Sequence, residues 1–294
     1  MTALDNLLAR LSRPSPLLIA ATATTLLIAV PTLRLAILQR QLAARITSHQ
    51  TLTGDDARRK ATSASSSPKS IFTTKTTTPT PSNSPSLPGL GALKANLPPA
   101  LLTDPAAHNI FYDISTLAVP SSSLPPALTT HDLLTAYLQH TLTLFSRTPQ
   151  AYVLWAMSGR EQRRSFERDW IESLPFEEGG VVCGLYRVLE RGVEDEGKKG
   201  WVCFEMGMGK VEGRLVIGVG AQEGEGEGEE GGNGKKEGGV ERERMVFSTE
   251  TWMWVRREEG VVMPMERAVP RFMHRVGSWS LLVRGTEWLQ GLGR

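Results

Sequence analysis

The spacing of apolar positions changes several times along the chain, and each change marks an element. Pro14–Leu33 is a run of twenty positions without a charged side chain. A helix rising about 1.5 Å per residue would carry that run across the roughly 30 Å hydrocarbon core of a bilayer. Residues 1–13 are a short tail before it. Residues 34–46 keep a helical spacing, with Leu35, Leu38, Leu42 and Ile46 in one stripe and Arg34, Arg40 and Arg45 among the polar positions. This reads as a juxtamembrane helix. The apolar signal then stops. Between residues 61 and 88, fifteen of 28 positions are Ser or Thr and five are Pro. Such a segment buries too little apolar surface to offset the entropy of ordering it. Residues 47–107 therefore read as a disordered Ser/Thr/Pro linker.

Residues 108–294 read as a globular domain. Asn109–Val119 alternates as a first strand. Thr129 or Thr130 can cap a helix in which Leu134, Tyr137, Leu138, Thr141, Leu142 and Phe145 recur at i, i+3, i+4 spacing. Thr148-Pro149 is a cap followed by proline at the first helical position, opening a second helix through Met157. A third helical stretch holds Phe166, Trp170, Ile171 and Leu174, and Pro175 ends it. After Gly179-Gly180 the period falls to two. Strands are predicted at 181–192, 201–208, 214–221 and 244–257, with 261–266 closing the meander. In 244–257, Phe247, Thr249, Thr251, Met253 and Val255 share one face. Val246, Ser248, Glu250, Trp252 and Trp254 share the other. Residues 223–239 hold eight Gly and six Glu in 17 positions and read as a disordered hairpin insertion. Pro270–Leu289 reads as the last helix.

Consecutive strands with helices grouped at the ends imply an α+β fold. The expected architecture is a curved antiparallel sheet of four to six strands, with N-terminal helices and a long C-terminal helix, preceded by one transmembrane helix.

Charge changes the picture of the front half. The net charge of +2 is a sum of opposites: residues 1–107 carry 11 Lys/Arg against 4 Asp/Glu, and residues 108–294 carry 22 against 27. Arg34, Arg40, Arg45, Arg58, Arg59 and Lys60 follow the apolar run, whereas Arg10 and Arg13 precede it. The excess of positive charge on the C-terminal side places the large domain in the cytosol. The run is thus a single-pass signal-anchor and the bilayer is its partner. A mitochondrial presequence, and a mitochondrial membrane, is the alternative. A cleaved signal peptide fits less well, because Pro31-Thr32-Leu33-Arg34 lacks a small-residue cleavage site.

Composition removes several classes. Two cysteines cannot staple a secreted scaffold, and no CxxC or HxxxH pair suggests structural zinc. No cofactor is implied. The acidic back half argues against nucleic acid. Gly218-Val219-Gly220 is followed by no helix, so a dinucleotide loop fails on context. Catalysis has no motif. Its candidates are Glu250, an acid among tryptophans, and His274 on the last helix. Cys183 and Cys203 lie in strand runs and read as buried small hydrophobes. Met206, Met208, Trp252, Met253, Trp254, Met273 and Trp279 are the candidates for lining an apolar ligand cavity.

The order of elements across residues 109–290 resembles helix-grip domains of the lipid-transfer and plant-allergen type. There a curved sheet wraps a long C-terminal helix around a cavity. A cone-shaped fold of the nuclear-transport-factor type has a similar inventory but lacks the terminal helix. The overall layout also resembles a family of membrane-anchored proteins of filamentous fungi with a stretch like HTLTLFSRTPQAY (residues 140–152). That likeness brings no activity to carry over. The function expected is binding of a lipid or other hydrophobic small molecule in an apolar cavity by a membrane-anchored domain. The alternatives are an enzyme on the same scaffold acting on a hydrophobic substrate, and a protein-interaction module without catalysis.

Overall fold

The computed structural model describes residues 34–52, 97–222 and 243–293. The apolar run 14–33, the Gly/Glu insertion 223–239 and residues 53–96 of the linker lie outside the described residues. Among the described residues, no helix is long and apolar enough to cross a membrane. The chain divides into two compact units, Met1–Arg45 and Ile46–Arg294. In the first, residues 34–43 form a helix (α1), where the leucine spacing predicts one.

The second unit is α+β. Its sheet is antiparallel throughout and has seven strands in the order β1-β2-β7-β6-β5-β4-β3. The strands are β1 (Thr47–Leu52), β2 (His108–Pro120), β3 (Val181–Val182), β4 (Tyr186–Glu194), β5 (Lys199–Met208), β6 (Val211–Gln222) and β7 (Arg244–Arg256). The helices are α2 (Pro99–Thr103), α3 (Thr130–Phe145), α4 (Pro149–Met157), α5 (Arg168–Ser173) and α6 (Ala268–Leu292). Strands β2 and β7, first and last of the central sheet, are neighbours in register from His108↔Arg256 to Pro120↔Arg244.

Seven strands replace the expected four to six, for two local reasons. Thr47–Leu52, read as the start of the linker, is an edge strand on β2. Its sequence TSHQTL is polar because an edge strand needs backbone pairing more than burial, so alternation does not reveal it. The single strand expected at 181–192 is split. Cys183 and Gly184 both take left-handed φ, at 49° and 67°, and turn the chain between β3 and β4. A Cβ on Gly184 would lie 2.6 Å from Ser158 Oγ, so glycine is required by space as well as by φ. One expected strand is absent: 261–263 is irregular, and Pro264–Glu266 is a single 3-10 turn. Pro264 has no N–H to give a ladder, and Glu266 accepts instead from the Met263 N–H at 3.2 Å.

The period of two sorts the sheet into two faces. Phe111, Phe204, Val219 and Phe247 point to the helices and are fully buried. They meet Leu134, Tyr137 and Leu138 of α3 and Leu282 and Leu289 of α6, also buried. Burying each such side chain stabilises the fold by about 1.5–3 kcal/mol. Helix α3 lies over β5 and β6, and α6 over β2 and β7. The two helices cross closely where Gly285 faces Tyr137 and Thr141. Thr129 and Thr148 cap α3 and α4, accepting from the backbone N–H groups of Asp132 and Ala151 at 3.2 Å each. On the opposite face Ile110, Trp201, Cys203, Val216 and Trp254 form a second cluster, covered by Leu97 and by Leu101 of α2. The last eleven residues of the expected linker, 97–107, are thus ordered as a short strap over an apolar sheet face.

Candidate functional site

The site candidates from sequence fall on both faces of the sheet. Glu250, Trp252 and Trp254 are on the strap side. His274 packs edge-on against Phe111 on the helix side, with ring centroids 5.8 Å apart. An acid/base pair of Glu250 and His274 is therefore not assembled. Met206 and Met253 are buried on the helix side and flank Gly213, where a Cβ would lie 2.9 Å from Met206 Cε and 3.4 Å from Met253 Cγ. Trp279 is buried on the same side and donates its indole N–H to Ser115 Oγ at 2.9 Å. Met273 is exposed. The Met208 side chain lies outside what is described. These residues do not converge on one space, and the layer between sheet and helices is filled by the phenylalanines and leucines named above.

Each catalytic candidate has its own polar setting. Glu250 is buried; Trp252 donates to its Oε1 at 3.2 Å, and Oε2 has no hydrogen-bond partner. Burial raises its pKa, and the nearby Trp252 and Tyr112 groups pull it partly back. Tyr112 in turn is raised, first by its own burial and then by the Glu250 charge. His274 Nε2 is 3.4 Å from Oδ2 of the buried Asp113. Gln50 of β1 donates to Asp113 Oδ1 at 3.5 Å and accepts from Arg275. Cys183 and Cys203 are free and buried, and burial pushes both thiols up to about 12. Neither is poised as a thiolate at neutral pH.

A concavity lies elsewhere. A groove of about 1060 Å³ runs between residues 160–170 and the edge of the sheet at β3, β4 and β5. Its construction is local. The Ser165 hydroxyl accepts from the Gly184 N–H at 2.7 Å and donates to the Gln162 carbonyl at 2.6 Å. The Cys183 N–H donates to the Ser165 carbonyl at 3.0 Å. These bonds staple the 160–166 segment to the left-handed turn. Trp170 of α5 donates to the Val181 carbonyl at 3.0 Å, fixing the indole in the groove wall. Arg164 lies over that indole, 5.2 Å from its centroid.

The groove lining is amphipathic. Trp170, Val181 and Leu185 supply apolar surface, and Arg160, Arg164 and Arg187 supply positive charge. Of the two acids present, Glu205 sits 3.5 Å from Arg214, whereas Glu161 is exposed on the rim. Arg160 and Arg187 make no ion pair or hydrogen bond among the described residues. A signal for this site is present in the sequence. Residues 158–164, SGREQRR, hold Arg160, Arg163 and Arg164 against the single acid Glu161, a short basic stretch inside an acidic half. The helical period and the negative sum hide it. A second, smaller concavity of about 350 Å³ lies beside the strap, between Leu101, Trp254 and Glu259. No family model matches the chain, and no curated protein matches it.

Proposed function

We propose that the domain binds an amphiphile, a lipid or other hydrophobic small molecule with a negatively charged end, in the groove beside Trp170. The observation that carries this reading is the pairing of apolar wall and unpartnered cation in one concavity: Trp170, Val181 and Leu185 beside Arg160 and Arg187. Apolar surface removes the acyl or ring portion from water, and guanidinium groups recognise carboxylate or phosphate with geometric specificity. The adjacency of β2 and β7 under a long C-terminal helix agrees with the helix-grip comparison, but the space between that helix and the sheet is filled, so the ligand reading rests on the groove and not on that comparison. A bilayer anchor at residues 14–33 would keep such a domain beside its ligand supply. The candidate cavity moves, however, from the methionines and tryptophans to the arginine-lined groove. An enzyme using Glu250 together with His274 draws no support from their placement on opposite faces of the sheet.

The test is native mass spectrometry of the full chain extracted in mild detergent, compared with Arg187→Ser. Arg187 is exposed, and substitutions at exposed positions usually change stability by about 0.5 kcal/mol or less, so the variant is expected to fold. A discrete anionic-lipid adduct is expected on the parent and should fall several-fold in the variant. No adduct on the parent, or equal adducts on both, overturns the reading.

A further inference from the structure

Helix α4 has the composition of a core helix and the exposure of a surface one. Its sequence is PQAYVLWAM, without a charge. Only Ala151 is buried, while Tyr152 is 62% exposed, Val153 60%, Trp155 42% and Met157 75%. A helix apolar on all sides normally sits inside a protein or a membrane. Four large exposed apolar side chains on a nine-residue helix form a patch that water alone does not favour.

The sequence flanks of α4 are basic. Arg147 precedes it, and Arg160, Arg163 and Arg164 follow it, against the single acid Glu161. Arg163 is built into the helix end. Its guanidinium stacks 4.3 Å from the Trp155 ring centroid and donates to the Trp155 and Ser158 carbonyls at 3.2 Å each. The cation thus satisfies the orphan carbonyls at the C-terminus of α4 and holds the indole at the surface. Thr148 caps the other end at 3.2 Å. The patch is therefore a fixed element, with both ends tied.

We infer that α4 is a membrane-docking helix that lays Tyr152, Val153, Trp155 and Met157 into the interface of an anionic lipid surface, with Arg147, Arg160 and Arg164 on the headgroups. Tyr and Trp suit the boundary between hydrocarbon and water, because one end of each ring is apolar and the other polar. Arginines beside an apolar face add attraction to anionic headgroups that salt can screen. Charge complementarity chooses a lipid surface over a protein groove: four cations to one acid around an uncharged helix fits a negative plane. Arg160 and Arg164 also line the groove, but the inference rests on the exposed face of α4 and on Arg147, which lie outside that lining, and so does not require the groove to be a ligand site.

The test exploits the two native cysteines, both fully buried, so a maleimide dye labels only an introduced thiol. The full chain carrying Tyr152→Cys is labelled with a polarity-sensitive dye and reconstituted in phosphatidylcholine vesicles with or without phosphatidylserine. Glu196→Cys, in the exposed turn at the far end of β4, is the control. A several-fold emission rise with a blue shift is expected at position 152 with phosphatidylserine. It should be absent at position 196 and reduced several-fold when Arg147→Glu is added. An equal response at both positions overturns the inference, as does no response at position 152. A response at 152 that follows protein concentration without lipid assigns the patch to a second copy of the chain, and also overturns it. Loss of the Arg187-dependent lipid adduct with an intact dye response would remove the groove reading alone.

Discussion

Glu250 accepts a hydrogen bond from the indole N–H of Trp252 at 3.2 Å, while its other carboxylate oxygen has no partner. A carboxylate held this way is stabilised less than water would stabilise it, and its pKa is raised by burial. The folded state therefore holds this proton more tightly than the unfolded chain, whose carboxyl titrates near 4.5. The stability associated with it is complete below 4.5 and is lost as pH rises through the folded-state value. Glu250→Gln keeps the acceptor for Trp252 and removes the charge. We expect it to unfold at a higher temperature than the parent at neutral pH. The gain is on the order of 1 kcal/mol, about 2–4 °C in a domain of this size. The difference should vanish below pH 4.5. Thermal melts of both proteins from acid to neutral pH check this, and a gain that persists at low pH would assign the effect to packing instead.

The face carrying Glu250 was legible in the sequence. The alternation of Phe247, Thr249, Thr251, Met253 and Val255 against Val246, Ser248, Glu250, Trp252 and Trp254 is the division that the register of β7 shows. The caps Thr129 and Thr148 were legible too, because hydroxyl acceptors before an apolar helical period have a single geometric use. Three features were not. Strand β1 is polar and is held by backbone pairing with β2, which leaves no side-chain signature. The turn at Cys183-Gly184 needs one non-glycine residue in a left-handed conformation, which sequence period cannot reveal. The exposure of helix α4 is not legible either, since its uncharged apolar sequence carries no mark of it. The groove depends on the turn, because the 160–166 segment that forms its wall is hung on Cys183 and Gly184.

Glycines in α6 offer a paired prediction with opposite signs. A Cβ on Gly285 would meet Thr141 Cγ2 at 2.4 Å and Tyr137 Cε2 at 2.5 Å, at the crossing of α3 and α6. Nothing lies within 4 Å of a Cβ on Gly277. Alanine in a helix is favoured over glycine by about 0.5–1 kcal/mol, so Gly277→Ala should stabilise by that amount. At position 285 overpacking, costing about 1–3 kcal/mol, exceeds the same gain, and Gly285→Ala should destabilise. Denaturant titrations read both. Gly285→Ala matching Gly277→Ala would mean that the two helices separate without cost.

On the strap face the analogous contact is between strands. A Cβ on Gly192 would lie 2.2 Å from Cζ2 of Trp201, so the indole fills the space that the glycine leaves. Gly192→Ala must displace Trp201, and with it the cluster of Cys203, Val216 and Trp254 under Leu101. A loss of about 1–3 kcal/mol is expected from overpacking. Faster amide exchange in residues 97–107 should accompany it, because the strap rests on that cluster. An unchanged exchange pattern there would show that strap and cluster are not coupled.

Arg191 ties three separate pieces of chain with one guanidinium. From β4 it donates to the Pro175 carbonyl, to the His131 carbonyl at 2.8 Å and to Thr135 Oγ1 at 2.7 Å. The start of α3 and the segment leaving α5 are thereby fixed to the sheet edge. Charge-assisted bonds of this kind contribute about 1.5–3 kcal/mol, and here one of them also gives the Pro175 carbonyl a partner where the chain leaves α5. Arg191→Met keeps the aliphatic stem and removes every donor. We expect a loss of about 2 kcal/mol in denaturant titration, well beyond the roughly 0.5 kcal/mol of an ordinary surface change. Amide exchange should quicken around residues 174–180, where Leu174 is otherwise held through its carbonyl by Gln139 at 3.2 Å. If the variant loses less than an ordinary surface change, solvent replaces these bonds as well as the guanidinium makes them.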